Sequence, residues 1–294
     1  MTAAAPVWDD EVATAVARLT TAAENEYYNP YQAFEWPDRI PEGALWMSED
    51  LVTVHSTAAA AELSREQYLA LTKWESINFY SLNVHGIREL MQEVVRRIHT
   101  PGYEIPTPFF HHFLGEENEH MWFFAEFCLR YGNKLFPSRA MAFSSDQPSP
   151  QLDNFTVFSR ILIFEQIVDH FNSRMAGDTA LPETIRAINR VHHQDESRHI
   201  AFGAQLVRVL WQRLVETGDE GEIAAARSYI EKYINTSIQQ LYSVDAYRDA
   251  GIPDPFAFRG RVLADPARPA VHDAITARTR AFYRRIGVLD APAA

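Results

Sequence analysis

Two fragments of the form Glu-x-x-His, Glu117 to His120 and Glu196 to His199, constrain this chain more than any other feature. A residue and its third successor share one side of an α-helix, so each pair presents a carboxylate and an imidazole together. In the second fragment, Val191-His-His-Gln-Asp-Glu-Ser-Arg-His199, His192 stands one turn before Glu196. Its imidazole falls within about 60° of Glu196 and His199 on the same face. Two imidazoles and a carboxylate suit a divalent transition metal, not an apolar seam. A lone Glu-x-x-His is usually a solvated helix face. Two in one helical chain indicate a carboxylate-bridged dimetal centre, built from a Glu on each of two helices and Glu-x-x-His on each of the other two.

The rest of the chain supplies the helices. Residues 9–25 carry Val12, Val16 and Leu19 at helical spacing. An aromatic arm with turn residues follows, from Asn29-Pro-Tyr31 through Trp36 to Trp46, and is expected to pack on a bundle. Ser64-Arg-Glu-Gln67 is a capping box that opens a helix over about 65–98, stopped by Thr100-Pro-Gly102. Thr107-Pro108 opens a second over 108–132, with Glu117 and His120 inside an aromatic stripe. After a Ser/Pro/Asp-rich loop at 144–153, a third helix at 154–176 places Glu165 on its apolar face. A fourth, 182–217, carries the triple fragment. A fifth spans 220–243, and a basic helix lies around 271–286 after a proline-rich stretch. No alternation long enough for a strand is present. The expected fold is all-α: a ferritin-like four-helix bundle with an N-terminal aromatic arm and a C-terminal helical extension. It is read as one domain over 1–294, with the arm and short helix at 1–63, the metal-binding bundle at 64–217 and C-terminal helices at 218–294.

A buried carboxylate without a partner is costly, so Glu117, Glu165 and Glu196 on apolar faces call for a shared counter-charge. The remaining ligand belongs on the first long helix. Glu117 lies about nine residues into the second helix, so the antiparallel partner should lie about nine before the end of the first, at Glu89. Glu75 and His85 are the alternatives. Asp195 and Asp169 are candidates to orient a ligating imidazole, with Arg198 neutralising them.

A net charge of −12 disfavours nucleic acid or an anionic membrane as partner. No stretch reaches the roughly 20 apolar residues of a membrane span, and no signal segment is evident, so a cytoplasmic setting is the expectation. The single cysteine, Cys128, excludes an intramolecular disulfide or a cysteine-based metal site and reads as a buried filler.

Glu117-x-x-His120, Glu165 and His192-x3-Glu196-x-x-His199 resemble the ligand pattern of the p-aminobenzoate N-oxygenase family, non-haem diiron oxygenases of the ferritin-like superfamily. The third histidine is the specific mark. Asp195-Glu-Ser-Arg-His199 also resembles the wider Asp-Glu-x-Arg-His signature. The resemblance implies two irons, with manganese as a substitute. One would be held by Glu89, Glu117, His120 and His192, the other by Glu165, Glu196 and His199, with Glu117 bridging. It further implies O2 as co-substrate, an external electron donor supplied by a redox partner or reductase, and a small amine as substrate in secondary metabolism. A homodimer is an open expectation. Carbon hydroxylation or desaturation at the same metals, and ferritin-like iron storage, are the competing readings.

Overall fold

The computed structural model describes residues 8–138 and 148–290, and among these no strand occurs. The protein is all-α. Asp9 caps α1 (Asp10–Asn25) by accepting from the Val12 amide, and Val12, Val16 and Leu19 are its buried stripe. Asn29 caps the single-turn α2 (Pro30–Ala33). Two 3-10 turns, Glu49–Leu51 and Ala58–Glu62, lead to the capping box at Ser64 and Gln67, which opens α3 (Arg65–Val95). α4 (Thr107–Phe127) passes into a π-helical turn, Cys128–Gly132, closed by Asn133 in the left-handed region.

α5 (Pro150–Gly177) begins four residues earlier than the sequence pattern suggested. Ser149 accepts from the Leu152 amide, and Pro150 occupies the first turn, where its missing N–H is harmless. The expected loop at 144–153 is therefore helical from 150, and its residues 144–147 lie outside the described residues. α6 (Glu183–Thr217) carries the triple fragment, and Asp219 with Glu222 opens α7 (Glu220–Gln240). The C-terminal part holds α8 (Val244–Asp249), α9 (Pro255–Ala264) and α10 (Arg268–Arg285). Here one basic helix was expected and three helices occur, because Ser243 and Asp254 cap turns that the prolines do not interrupt.

α3 and α4 run antiparallel: Tyr80 stacks on Phe124, while Val94 shares a small cavity with Phe110. α5 and α6 do the same, with Asn172 against His192 and Leu162 against Gly203. These four helices enclose an aromatic core in which Phe109, Phe123, Phe124, Phe127 and Phe155 are fully buried. The aromatic arm packs on the outer face of α4. Phe34 meets Phe123 edge-on at 5.1 Å, Trp36 meets Trp122 at 6.3 Å, and Trp46 meets Phe127 at 5.7 Å. Cys128 is buried, and burial pushes its thiol up to about 12. α7 covers α5, and the Tyr283 hydroxyl of α10 donates to the Ser159 carbonyl. No described helix is long and apolar enough to cross a membrane.

Candidate metal centre

The helical period of α4 and α6 turns both Glu-x-x-His pairs toward one point. Glu117, His120, Glu196 and His199 are all buried, and each offers a ligand atom within 4.8 Å of the others. His199 Nδ1 lies 2.9 Å from Glu117 Oε1 and 3.6 Å from Glu196 Oε1. His120 Nδ1 lies 3.7 and 3.8 Å from the same two carboxylates. His192 joins from the preceding turn of α6, with its Nε2 at 3.1 Å from Glu196 Oε1 and its ring 4.3 Å from that of His120. Glu165 of α5 is 1% exposed, and Glu196 is the neighbouring charge that acts on it most strongly.

The outer nitrogens are fixed, which leaves the inner ones free. His120 Nε2 is 3.0 Å from Asp195 Oδ2, and His199 Nε2 is 2.7 Å from Glu116 Oε2. Arg198 bridges these two carboxylates, donating to Glu116 and Asp195, and reaches Glu26, the residue that follows α1. The Tyr28 hydroxyl donates to Asp195 Oδ2 at 3.2 Å. Asn172 holds Nδ1 of His192. Carboxylates on the outer nitrogen select the tautomer whose inner lone pair can bind a metal.

The inward atoms face one another at short range but make no hydrogen bonds. His120 Nδ1, His192 Nε2, His199 Nδ1, both oxygens of Glu117 and of Glu165, and Glu196 Oε2 are buried without a hydrogen bond. Buried polar groups are ordinarily satisfied, so this convergence from three helices fits a missing cationic partner. The donor set of three carboxylates and three imidazoles is one that iron and manganese accept.

The charge balance tells the same story. Burial raises Glu165 far above the usual carboxylate range, with Glu196 adding to it. Burial also lifts Glu196, opposed by His199, to about 7. Burial opposes the charged form of His120, yet Asp195 and Glu117 hold it up to about 10. His192 is driven well below its usual value by burial and by the neighbouring His120. A bound cation would supply the positive charge that these carboxylates require, and its binding would release protons from the site.

The first long helix supplies no carboxylate to this point. Glu89 is exposed and faces a groove of about 720 Å³ between α3, α5 and α7, beside Gly86, Phe164 and Tyr233. The axial count that selects it fixes height along α3 but not direction, and Glu89 points to the exposed side, about 200° around the helix from the fully buried Ile87. Glu75 is buried some four turns earlier, where it accepts from the Thr53 amide at 2.9 Å and from the Thr53 hydroxyl. His85 Nε2 pairs with the Phe136 carbonyl at 2.7 Å. Asp169, expected to support a ligand, instead binds the exposed-side His193 and Arg278. Glu116 and Asn172 were missed as supports, although Glu116 precedes Glu117 as Asp195 precedes Glu196, and Asn172 follows Glu165 by seven residues on the apolar face of its helix.

Beside the centre, Glu165 and His199 line a small cavity otherwise walled by Val94, Phe110, Phe113, Phe158, Ile161 and Phe202. Gly203 opens it, since a Cβ there would lie 3.9 Å from Glu165 Oε2.

A profile of the family described as P-aminobenzoate N-oxygenase AurF matches residues 9–287. The chain belongs to the p-aminobenzoate N-oxygenase family. As a member of this AurF family it is an O2-dependent diiron oxygenase acting on a small molecule. Among curated proteins none matches. Among solved structures, a variant of an R2-like ligand-binding oxidase with an anaerobically reconstituted Mn/Fe cofactor is similar over 93% of this chain and 94% of that one, at 16% identity and a TM-score of 0.51. A second variant of that oxidase, aerobically reconstituted, gives 14% identity, the same coverages and a TM-score of 0.49. The first likeness supports the ferritin-like fold of this AurF-family chain, and its metals belong to that protein.

Proposed function

We propose that this AurF-family chain oxidises the nitrogen of a small amine. In this reading Glu117, His120, Glu165, His192, Glu196 and His199 hold two iron ions, and an external donor supplies electrons. The observation that carries it is the convergence of buried inward atoms without hydrogen bonds, from both Glu-x-x-His pairs, Glu165 and His192, beside an aromatic cavity. The bound irons would supply the redox capacity to reduce O2. For the first oxidation, amine, O2, two electrons and two protons give hydroxylamine and water.

The chain's own residues set the conditions. Phe110, Phe113, Phe158 and Phe202 exclude water from the side of the centre where a substrate would meet it. The cavity among these rings has room for about one water, so an amine would part them to present its nitrogen toward Glu165 and His199. Asp195 and Glu116 keep the imidazoles oriented while charge at the centre changes. Arg198 and Tyr28 hold Asp195 in turn.

The test uses iron-loaded, chemically reduced protein with O2 and a panel of arylamines and alkylamines, analysed by mass spectrometry. The expected products are hydroxylamines or their nitroso and nitro successors. Products oxidised only at carbon would overturn N-oxygenation while leaving an oxygenase. Uptake of O2 with iron accumulating as ferric mineral would point to storage instead.

A further inference from the structure

We infer that the two metal positions of this centre are unequal, because α3 presents aliphatic side chains where a bundle of this type would place a carboxylate; the inference rests on the dimetal reading above. Three residues seven apart, Tyr80, Ile87 and Val94, form one line along α3, each about 20° from the last. The two ends of this line bracket the centre. Tyr80 stacks on Phe124, one turn beyond His120, and accepts from Asn189, three residues before His192. Val94 lines the cavity that Glu165, His199 and Phe113 share. Ile87 therefore stands at the level of the metal ligands, with Val84 one turn before it. Both are buried, Ile87 completely.

Every carboxylate of α3 is engaged or placed elsewhere. Glu66 and Glu89 are exposed, Glu75 is held by Thr53, and Glu93 pairs with Arg96, Arg97 and Arg160. The usual arrangement pairs each Glu-x-x-His with a single Glu from another helix. Glu196 and His199 have Glu165. Glu117 and His120 have no such partner from α3, and the ring of His192 stands beside that of His120 with centroids 4.3 Å apart. Glu117 and Glu196 each reach imidazoles of both groups, so what distinguishes the positions is His120 with His192 at one and Glu165 with His199 at the other.

A carboxylate neutralises a buried cation, whereas an imidazole only donates a lone pair. The position near α4 is consequently charge-poor and nitrogen-rich, and should hold its ion more weakly and give up a trivalent state more readily. His192, on this account, substitutes for a carboxylate missing from α3.

The test is graded chelation of the iron-loaded protein, with iron content per chain as the readout. Wild type should lose iron in two phases, one ion per chain each, separated by about tenfold or more in chelator concentration, on the scale that a changed ligand environment produces. Ile87→Glu should bring the phases together by strengthening the weaker one. Should that variant fail to fold, His192→Ala serves: it should remove the weak phase and leave the tight one. Loss of both ions in a single phase from wild type would overturn the inference while leaving a dimetal oxygenase intact. Purified protein that binds no pair of ions would instead overturn the dimetal reading itself.

Discussion

Asp195 Oδ2 lies 3.0 Å from Nε2 of His120, reaching from α6 to a ring on α4 and turning that ring's other nitrogen toward Glu117 and Glu196. Glu116 does the reciprocal service from α4 for His199 on α6 at 2.7 Å. The centre is cross-braced: each helix carrying a Glu-x-x-His pair also carries the carboxylate that orients the other's imidazole. Arg198 neutralises both braces, which lets two more acids stand beside a site already rich in carboxylates.

Asp195→Asn and Glu116→Gln should each weaken metal retention by about 10–100-fold without unfolding the bundle. The amides keep the size of the side chain but remove the charge that supports the imidazole. Competition with a metal-sensitive dye measures this. Retention equal to wild type in both variants would deny the bracing role.

Gly203 lines the cavity together with Glu165 and His199. An alanine Cβ there would meet Leu162 Cδ1 at 3.3 Å and remain 3.9 Å from Glu165, so Gly203→Ala should keep iron and most activity. Gly203→Leu fills the cavity. It should keep near-normal iron content but lower amine oxidation by about tenfold or more, since space for even one methylene weighs heavily in a closed pocket. Parallel measurements of iron content and product formation separate the two effects; undiminished turnover in the leucine variant would place substrate elsewhere.

Glu75 offers a pH test away from the metal ligands. Burial, partly opposed by hydrogen bonds from Thr53, raises its carboxyl to about 7 from an ordinary 4.5. The sign follows: a raised carboxyl contributes stability that is full below 4.5 and is lost as pH rises through about 7. Glu75→Gln, neutral throughout, should therefore gain on wild type by up to about 3 kcal/mol between pH 5 and 8. Thermal melts of both proteins across that range provide the measurement, and a difference that does not change with pH would contradict it.

How much of this was legible beforehand depends on which physical constraint each residue answers to. Glu117, His120, Glu165, His192, Glu196 and His199 are positioned by the 3.6-residue period of their own helices, and that period is visible in the sequence. The missing α3 ligand was sought by axial counting, which fixes height along a helix but not direction around it. Glu89 satisfied the first condition and failed the second. Glu116 precedes Glu117 as Asp195 precedes Glu196, a parallel present in the sequence, but only its partner on α6 shows which imidazole it serves. α8 and α9 were hidden because prolines at 253 and 255 read as loop, although a proline in the first turn is compatible with a helix, as Pro255 after the Asp254 cap shows. The start of α5 was hidden less deeply, since Ser149-Pro150 is a cap signal present in the sequence.

The most direct test of the central claim is an anomalous-scattering map at the iron edge from crystals of protein loaded with iron. Two peaks per chain are expected, both within ligand distance of the set Glu117, His120, Glu165, His192, Glu196 and His199, with Glu196→Ala losing most of the signal. A single zinc in their place, or iron bound away from these residues, would contradict the account.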